Sequence, residues 1–304
     1  MHGWIILDKP LGLGSTQGVS AVKRALRQGG YGKWKVGHGG TLDPLATGVL
    51  PIAIGEATKL AGRMLDSDKR YEFTIAFGTQ TDTLDGEGVP VATAPLRPTR
   101  EAVAAVLQRF TGPIAQVPPA YSALKVDGER AYDRARAGET VVLASRDVTV
   151  HALGIVGDPA PGALEAITLS AHVSKGTYIR SLARDIAVAL GTVGHVTMLR
   201  RTKAGPFGLT QAISLDKLDE LGQARALEHL LLPLRAGLDD IPALSLTPAQ
   251  AGALRQGRVL DGIADDDGLR FAVLDDVPVA LVEVQAGNAV VVRGFNLPMS
   301  KEAS

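Results

Sequence analysis

The chain reads as an α+β protein. Three observations carry that reading. Strand-like runs recur along the whole sequence, helical periods fall in separate blocks between them, and the segment after about residue 239 is mostly short strands. With 304 residues, 45% hydrophobic and 21% charged, the chain can fill one large core and a small second one.

The elements follow in order. WIIL (4–7) is a short continuous apolar run, the mark of a buried strand. Ser15 or Thr16 stands where a cap belongs for a helix from about 17 to 28, which the glycine pair 29–30 would end. RYEFTIAF (70–77) is the clearest strand, with Tyr71, Phe73, Ile75 and Phe77 on one face and Glu72 and Thr74 on the other. The turn-rich TQTDTLDGEG comes next. Apolar positions 103, 106, 107 and 110 predict a helix over 99–110. Residues 163–173 read as a strand, and TYIRSLARDIAVAL (177–190) as a helix after an SKG turn. A helix over 247–255 opens on Thr247-Pro248, and FAVL (271–274), VALVEV (279–284) and AVVVRGF (289–295) are strands. Two domains are expected, 1–238 and a small β-rich 239–304. No repeat or low-complexity tract appears.

Composition removes several function classes. With no cysteine there is no disulfide framework, no thiolate nucleophile and no cysteine-built metal site. No uncharged apolar run reaches the ~18 residues of a membrane span. The N-terminal MHGWIILDKP is too short and too charged for a signal peptide, so a cytoplasmic protein without membrane contact is expected. The formal net charge is zero, but it is unevenly spread. Residues 1–70 carry ten Lys/Arg against five Asp/Glu; residues 239–304 carry five against ten. Such asymmetry marks one anion-binding face and one solvating face, or ordinary surface variation.

The reactive groups emerge by elimination. The histidines (2, 38, 151, 172, 195, 229) form no HxH or HExxH pair, so no protein-built transition-metal centre is expected. No GxSxG elbow is present. Carboxylates, tyrosines and basic residues remain. One segment, GHGGTLDPLATGVLPIAIGEATK (37–59), sets one acid, Asp43, alone among the small and turn-forming residues of its first twelve positions. A phosphate cradle would need a Gly-Lys-Ser/Thr ending, which GEATK lacks. Pro44 biases Asp43 toward an extended or turn conformation. Asp43 is thus a turn acceptor or a seated reactive carboxylate.

That segment closely resembles the catalytic motif of the TruB family of tRNA pseudouridine synthases, GHxGTLDP, with Gly39 at the variable position. The resemblance continues in order through GWIILDKPLGLGS with its Lys9-Pro10 pair, MLDSDKRYEFTIAFGTQTDTLDGEG, PPAYSALKVDGERAYDRARAGE, SKGTYIRSLARDIAVALG and HVTMLRRTKAGPF, spanning residue 3 to about 207. It implies a pseudouridine synthase fold: a mixed, largely antiparallel central sheet flanked by helices, an RNA-contacting thumb-like insertion at about 121–140, and a PUA-like domain from about 239. It also implies site residues. Asp43 falls on the catalytic aspartate, Tyr71 on the tyrosine that stacks on the flipped uracil, and Arg180 on the arginine paired with the aspartate. Tyr178 and Leu199 fall on active-site wall positions, and His38 on the histidine of T-loop remodelling or base flipping.

The implied reaction breaks the C1′–N1 bond of uridine 55 in the T loop of tRNA and joins C1′ to C5. Atoms are neither added nor removed, so no cofactor is expected. The reaction needs a carboxylate near C1′, an acceptor for the C5 proton and a platform for the detached base. A base in a folded loop must first be extruded. Two other readings stand beside the isomerase: an RNA-binding relative without catalysis, and an N-glycosidase that releases uracil. The intact Asp43, Tyr71 and Arg180 argue against the first. The partner expected is tRNA through its T stem-loop, with no DNA; long basic tails are lacking, so the chain resembles the stand-alone bacterial type, with no obligatory protein partner, and a monomer is expected.

Overall fold

The computed structural model describes residues 1–122, 124–126, 129–130, 134 and 143–297. The insertion expected at about 121–140 falls largely outside them.

Strand β1 (Gly3–Lys9) has both faces buried. Trp4 and Ile6 enter one core cluster, and Ile5 and Leu7 another. That is why WIIL reads as a continuous rather than an alternating run. β2 (Val36–His38) and β3 (Ala46–Ile54) flank the Asp43 segment. β4 (Lys69–Phe77) follows, then the small hairpin β5 (Thr79–Thr81) and β6 (Pro90–Thr93), and β7 (Gly112–Gln116). β8 (Lys125–Val126) and β9 (Glu129–Arg130) pair with each other. β10 (Arg146–Ile155), β11 (Ala166–Val173), β12 (Gly194–Ala204), β13 (Phe207–Gly208) and β14 (Leu232–Pro233) complete the main body.

The central sheet runs β14-β1-β3-β12-β4-β11-β10-β7, with β2 added to β3 and β13 to β12. Its pairs are antiparallel except β12 with β3. It is therefore mixed and largely antiparallel, within an α+β architecture. β12 is the keystone. Leu199 pairs with Ala46 of β3 on one side and with Phe73 of β4 on the other, so the two halves of the site meet across one strand.

Helix Ile179–Ala189 packs Ile179, Leu182, Ala183, Ile186 and Ala187 onto β4, at spacings of three and four. Helix Arg100–Leu107 packs on the same cluster, its Thr99 cap accepting the Ala102 N–H. Helix Ser15–Gln28 covers β1 and β3 on another face. It begins at Ser15, with Gly14 rather than Ser15 or Thr16 at the cap position, and the Gly14 N–H donates to Gln17 Oε1 at 2.7 Å. The predicted strand 163–173 starts later, at Ala166.

A second sheet, β15 (Ala243–Ser245), β16 (Gly268–Leu274), β17 (Val277–Gln285) and β18 (Asn288–Gly294), forms the C-terminal β domain, with helix Pro248–Arg255 against it. It also shares a core with the main body. Phe271, Leu281 and Phe295 pack with Trp4, Phe207, Leu234 and Leu238. Among the described residues, no helix is long and apolar enough to cross a membrane.

Candidate active site

Asp43 lies in the loop between β2 and β3, and the backbone on either side of it is tied down. Ser15 Oγ accepts the Leu42 N–H at 2.8 Å and donates to the Leu42 carbonyl at 3.0 Å. Arg201, 1% exposed, donates to the carbonyls of Gly40 (3.1 Å), Thr41 (3.2 Å) and Val49 (2.8 Å). Lys9, fully buried, donates to the carbonyls of Leu13 (2.6 Å), Pro10 (3.0 Å) and Pro44 (3.3 Å). Burial pulls the Lys9 ammonium down to about 8, and the nearby Asp43 charge works against that shift. Gly48 is required here: its φ is +98°, and a Cβ would stand 2.2 Å from the Arg201 carbonyl oxygen. The loop is thus a fixed seat from which the Asp43 side chain projects, 46% exposed.

The seat faces a buried cation. Arg180 is the second residue of helix Ile179–Ala189. Its Nη2 lies 2.9 Å from Asp43 Oδ2, and its Nη1 lies 3.2 Å from Asp85 Oδ2. The same two nitrogens donate to the carbonyls of Tyr121 (3.0 Å) and Thr83 (2.9 Å). Asp85 in turn accepts the Glu87 N–H (3.1 Å) and the Thr83 hydroxyl (2.5 Å) at Oδ1. The TQTDTLDGEG turn therefore delivers a second carboxylate, one hidden from solvent at 5% exposure. Two carboxylates share one guanidinium, so the cluster keeps a net negative charge. Asp43 is its exposed member.

A narrow cleft covers the cluster, lined by Asp43, Leu45, Asp85, Arg180, Met198 and Leu199. It encloses about 10 Å³, room for a single water, so a pyrimidine ring enters only with side-chain movement. Of the residues expected at the site, the structure brings Asp43, Arg180 and Leu199 together in this cleft. Tyr71 is half-buried on β4 and packs, as Leu199 does, against two adjoining core clusters. Tyr178 diverges from Arg180. It caps the helix in an extended conformation, exchanges backbone hydrogen bonds with the Gln116 side chain, and holds its ring 4.6 Å from the Arg146 guanidinium. His38 ends β2, just before the Asp43 loop, half-buried with Nδ1 shielded and without a hydrogen-bond partner. Burial, then the Arg201 charge, lowers its proton affinity, which keeps the ring neutral.

Sequence reasoning missed Asp85 and Arg201. Asp85 sits in a run rich in turn residues, where acids are ordinary. Arg201 sits in LRRTKA and reads as surface charge. Strand pairing separates the two arginines: Arg200 turns to Asp8 (2.8 Å), and Arg201 turns inward beneath the loop. Two of the scattered histidines come together in the fold. His151 and His172 stand far apart in the sequence but meet on β10 and β11, with ring centroids 4.8 Å apart.

The chain is similar to known proteins over nearly its whole length. Residues 24–179 match the model of the TruB family pseudouridylate synthase N-terminal domain, and residues 180–239 match that of the tRNA pseudouridylate synthase B C-terminal domain. A tRNA pseudouridine synthase B of Novosphingobium aromaticivorans is 70% identical over 298 residues, covering 98% of each chain. One of Zymomonas mobilis is 61% identical, covering 97% of this chain and 96% of that one. Among solved structures, the chain is similar to one described as an H/ACA RNP bound to a substrate RNA containing 2′-deoxyuridine. The match has a TM-score of 0.71 at 23% identity and covers 97% of this chain and 85% of that one. A Cbf5-Nop10-Gar1 complex matches with TM-score 0.71 at 24% identity, covering 97% and 84%. At these identities the structural likeness speaks for the fold.

Proposed function

Because this chain belongs to the TruB family of tRNA pseudouridine synthases and isomerises uridine to pseudouridine in tRNA, we propose that its target is uridine 55 of the T loop and that Asp43 is the carboxylate that acts on it. The observation that carries the assignment is the pairing of a fixed, half-exposed Asp43 with a buried Arg180 that a second carboxylate already neutralises.

The chemistry follows from that arrangement. Arg180 divides its charge between Asp85 and Asp43, so it positions the Asp43 carboxylate without being committed to it alone. The ionised oxygen meets the nucleoside at the mouth of the cleft and supports cleavage of C1′–N1. The freed uracil turns so that C5 faces C1′. The new C1′–C5 bond forms there, the C5 proton leaves to a base, and N1, freed of C1′, takes up a proton, so the product is an isomer. The Tyr71 ring is the platform that limits this motion, since stacking restrains a base by ~1–3 kcal/mol. Leu199 closes the wall across β12. A neutral His38 beside the Asp43 loop would meet the opened T loop as a polar ring rather than as a charge. Tyr178, braced by Gln116 and Arg146, supports the approach to Arg180.

In this reading, residues 1–238 are the catalytic domain and 239–304 a PUA-like domain, and a single copy engages the T stem-loop without a protein partner. The test is nucleotide-resolution mapping of pseudouridine in tRNA treated with wild type and with Asp43→Asn. The wild type modifies position 55 and the variant binds tRNA without modifying it. Turnover by Asp43→Asn near the wild-type rate removes Asp43 from the role. Free uracil among the products makes the enzyme a glycosidase.

A further inference from the structure

One cluster of ligating side chains lies outside the cleft. Between Val150 and Ala152 the β10–β11 register shifts, so His151 and Ala152 together oppose His172. Such a bulge re-aims a side chain that a regular ladder would hold in line. It leaves the two imidazoles tilted at 48° to each other, 4.8 Å apart. The third group is Asp68, in the turn that leads into β4, two residues before Arg70, which pairs with His172. Asp68 Oδ2 lies 3.1 Å from His151 Nε2 and 3.7 Å from His172 Nε2. One ligand atom from each residue lies within 4.8 Å of the other two.

These separations suit a metal. Four ligands at ~2.0–2.1 Å around a tetrahedral ion stand ~3.3–3.4 Å from one another. The two carboxylate–imidazole distances straddle that edge. We propose that Asp68, His151 and His172 form a site for a divalent transition-metal ion of the zinc class, with solvent as the fourth ligand. Two imidazoles and one carboxylate match zinc, nickel or copper better than calcium or magnesium, which require oxygen donors. A simple ion pair would need only one imidazole on this carboxylate, whereas both rings direct Nε2 to the same oxygen. Arg70 and Lys203, which face His172, oppose a dication and weaken its binding.

The ion takes no part in the isomerisation. Its place in the fold gives it a different effect. Asp68 precedes Tyr71 by three residues, so a metal ties the start of the Tyr71 strand to β10 and β11.

The test uses the full chain, freed of metal with a chelator and titrated at neutral pH with Zn²⁺ by calorimetry and with Co²⁺ by absorption. The wild type takes up one equivalent with tetrahedral Co²⁺ bands, and its Tm rises with Zn²⁺. The His151→Ala/His172→Ala pair weakens binding by at least the ~10–100-fold that loss of an outer-shell partner costs at metal sites. Asp68→Asn lies in the turn and leaves both strands intact, so it must weaken binding as well even if the histidine pair folds poorly. No saturable uptake by the wild type overturns the proposal. Equal uptake and equal Tm gain in Asp68→Asn also overturn it, because the ion then sits on other histidines.

Discussion

Asp85→Asn is the sharpest probe of the site, because it changes a residue that does not reach the mouth of the cleft. Asn keeps the shape and can still accept the Glu87 N–H and the Thr83 hydroxyl at Oδ1. Its amide then points NH₂ at Arg180 Nη1, where Asp85 now places Oδ2 at 3.2 Å. Breaking a buried ion pair costs ~3–5 kcal/mol when the survivor is left uncompensated. Here Arg180 keeps Asp43 at 2.9 Å and two backbone carbonyls, so the loss falls nearer that of one charge-assisted hydrogen bond, ~1.5–3 kcal/mol. At ~2 °C per kcal/mol for a chain of this size, Tm drops by roughly 3–6 °C. The kinetic effect is larger. With one carboxylate gone, Arg180 is drawn onto Asp43, and the reacting oxygen is both quenched and displaced. A misplacement of ~1 Å costs on the order of 10²-fold. Steady-state kinetics on a T stem-loop should therefore show kcat down about 10²-fold with KM nearly unchanged. Thermal melting reads the stability loss in parallel. A variant with wild-type kcat refutes the view that Asp85 sets the charge of the Asp43–Arg180 pair.

Three further outcomes are expected. Tyr71→Phe keeps the stacking face: if the hydroxyl takes the C5 proton, kcat falls by ~10²-fold or more, and if the ring only stacks, Phe is nearly silent and Ala harmful. Small, equal effects of Phe and Ala on kcat remove Tyr71 from the site. Lys69 is buried against the carbonyls of Met64, Leu65 and Ser67, and burial pulls its ammonium down to about 8. The unfolded chain then holds more protons between pH ~8 and ~10.4, so stability from this group rises with pH across that window. The wild type should gain on the order of 1 kcal/mol over Lys69→Met between pH ~7 and ~9, and a flat difference in Tm denies the shift. A chain cut near Asp239 should melt well below the full chain and lose activity even on an isolated stem-loop unless Phe271, Leu281 and Phe295 are replaced by a cover. A stable, active truncation shows that the shared core is dispensable.

Legibility followed physical cause. Strands and helices with one buried face were readable: β4 from its alternation, and helix Ile179–Ala189 from apolar spacings of three and four. β3 was not. It is buried on both faces, and Pro51 interrupts it in a way that argues against a central strand. The structure resolves the conflict. The Pro51 carbonyl accepts the Gly39 N–H, so Pro51 points its backbone polar groups toward β2, past the last paired residue, His38. The return bond that proline cannot donate falls where the β2–β3 ladder ends, and the β1–β3 pairing runs on through Pro51. Asp43 and Arg180 were found through a dense, ordered set of motifs, whereas Asp85 and Arg201 act through pairings across the fold that spacing does not encode.

The same distinction decides how the C-terminal segment is understood. Read by charge, residues 239–304 look detachable: twice as many acids as bases, and no residue expected in the chemistry. Read by packing, they are part of the catalytic body. Trp4 is fully buried and donates its indole N–H to the Leu234 carbonyl at 3.2 Å, and it lies in one cluster with Phe207, Phe271, Leu281 and Phe295. The neighbours of Trp4 on β1, Ile5 and Leu7, pack with Leu42 and Ala46 on either side of Asp43. The same strand ends in Lys9, which ties down Pro44. β1 thus touches the small domain with one face and the catalytic loop with the other. The apolar face of the domain steadies the strand on which the Asp43 seat rests. If the small domain positions Asp43 in this way, its removal should lower kcat as well as raise KM. Kinetics that separate the two constants distinguish this role from that of a distant RNA-binding appendage.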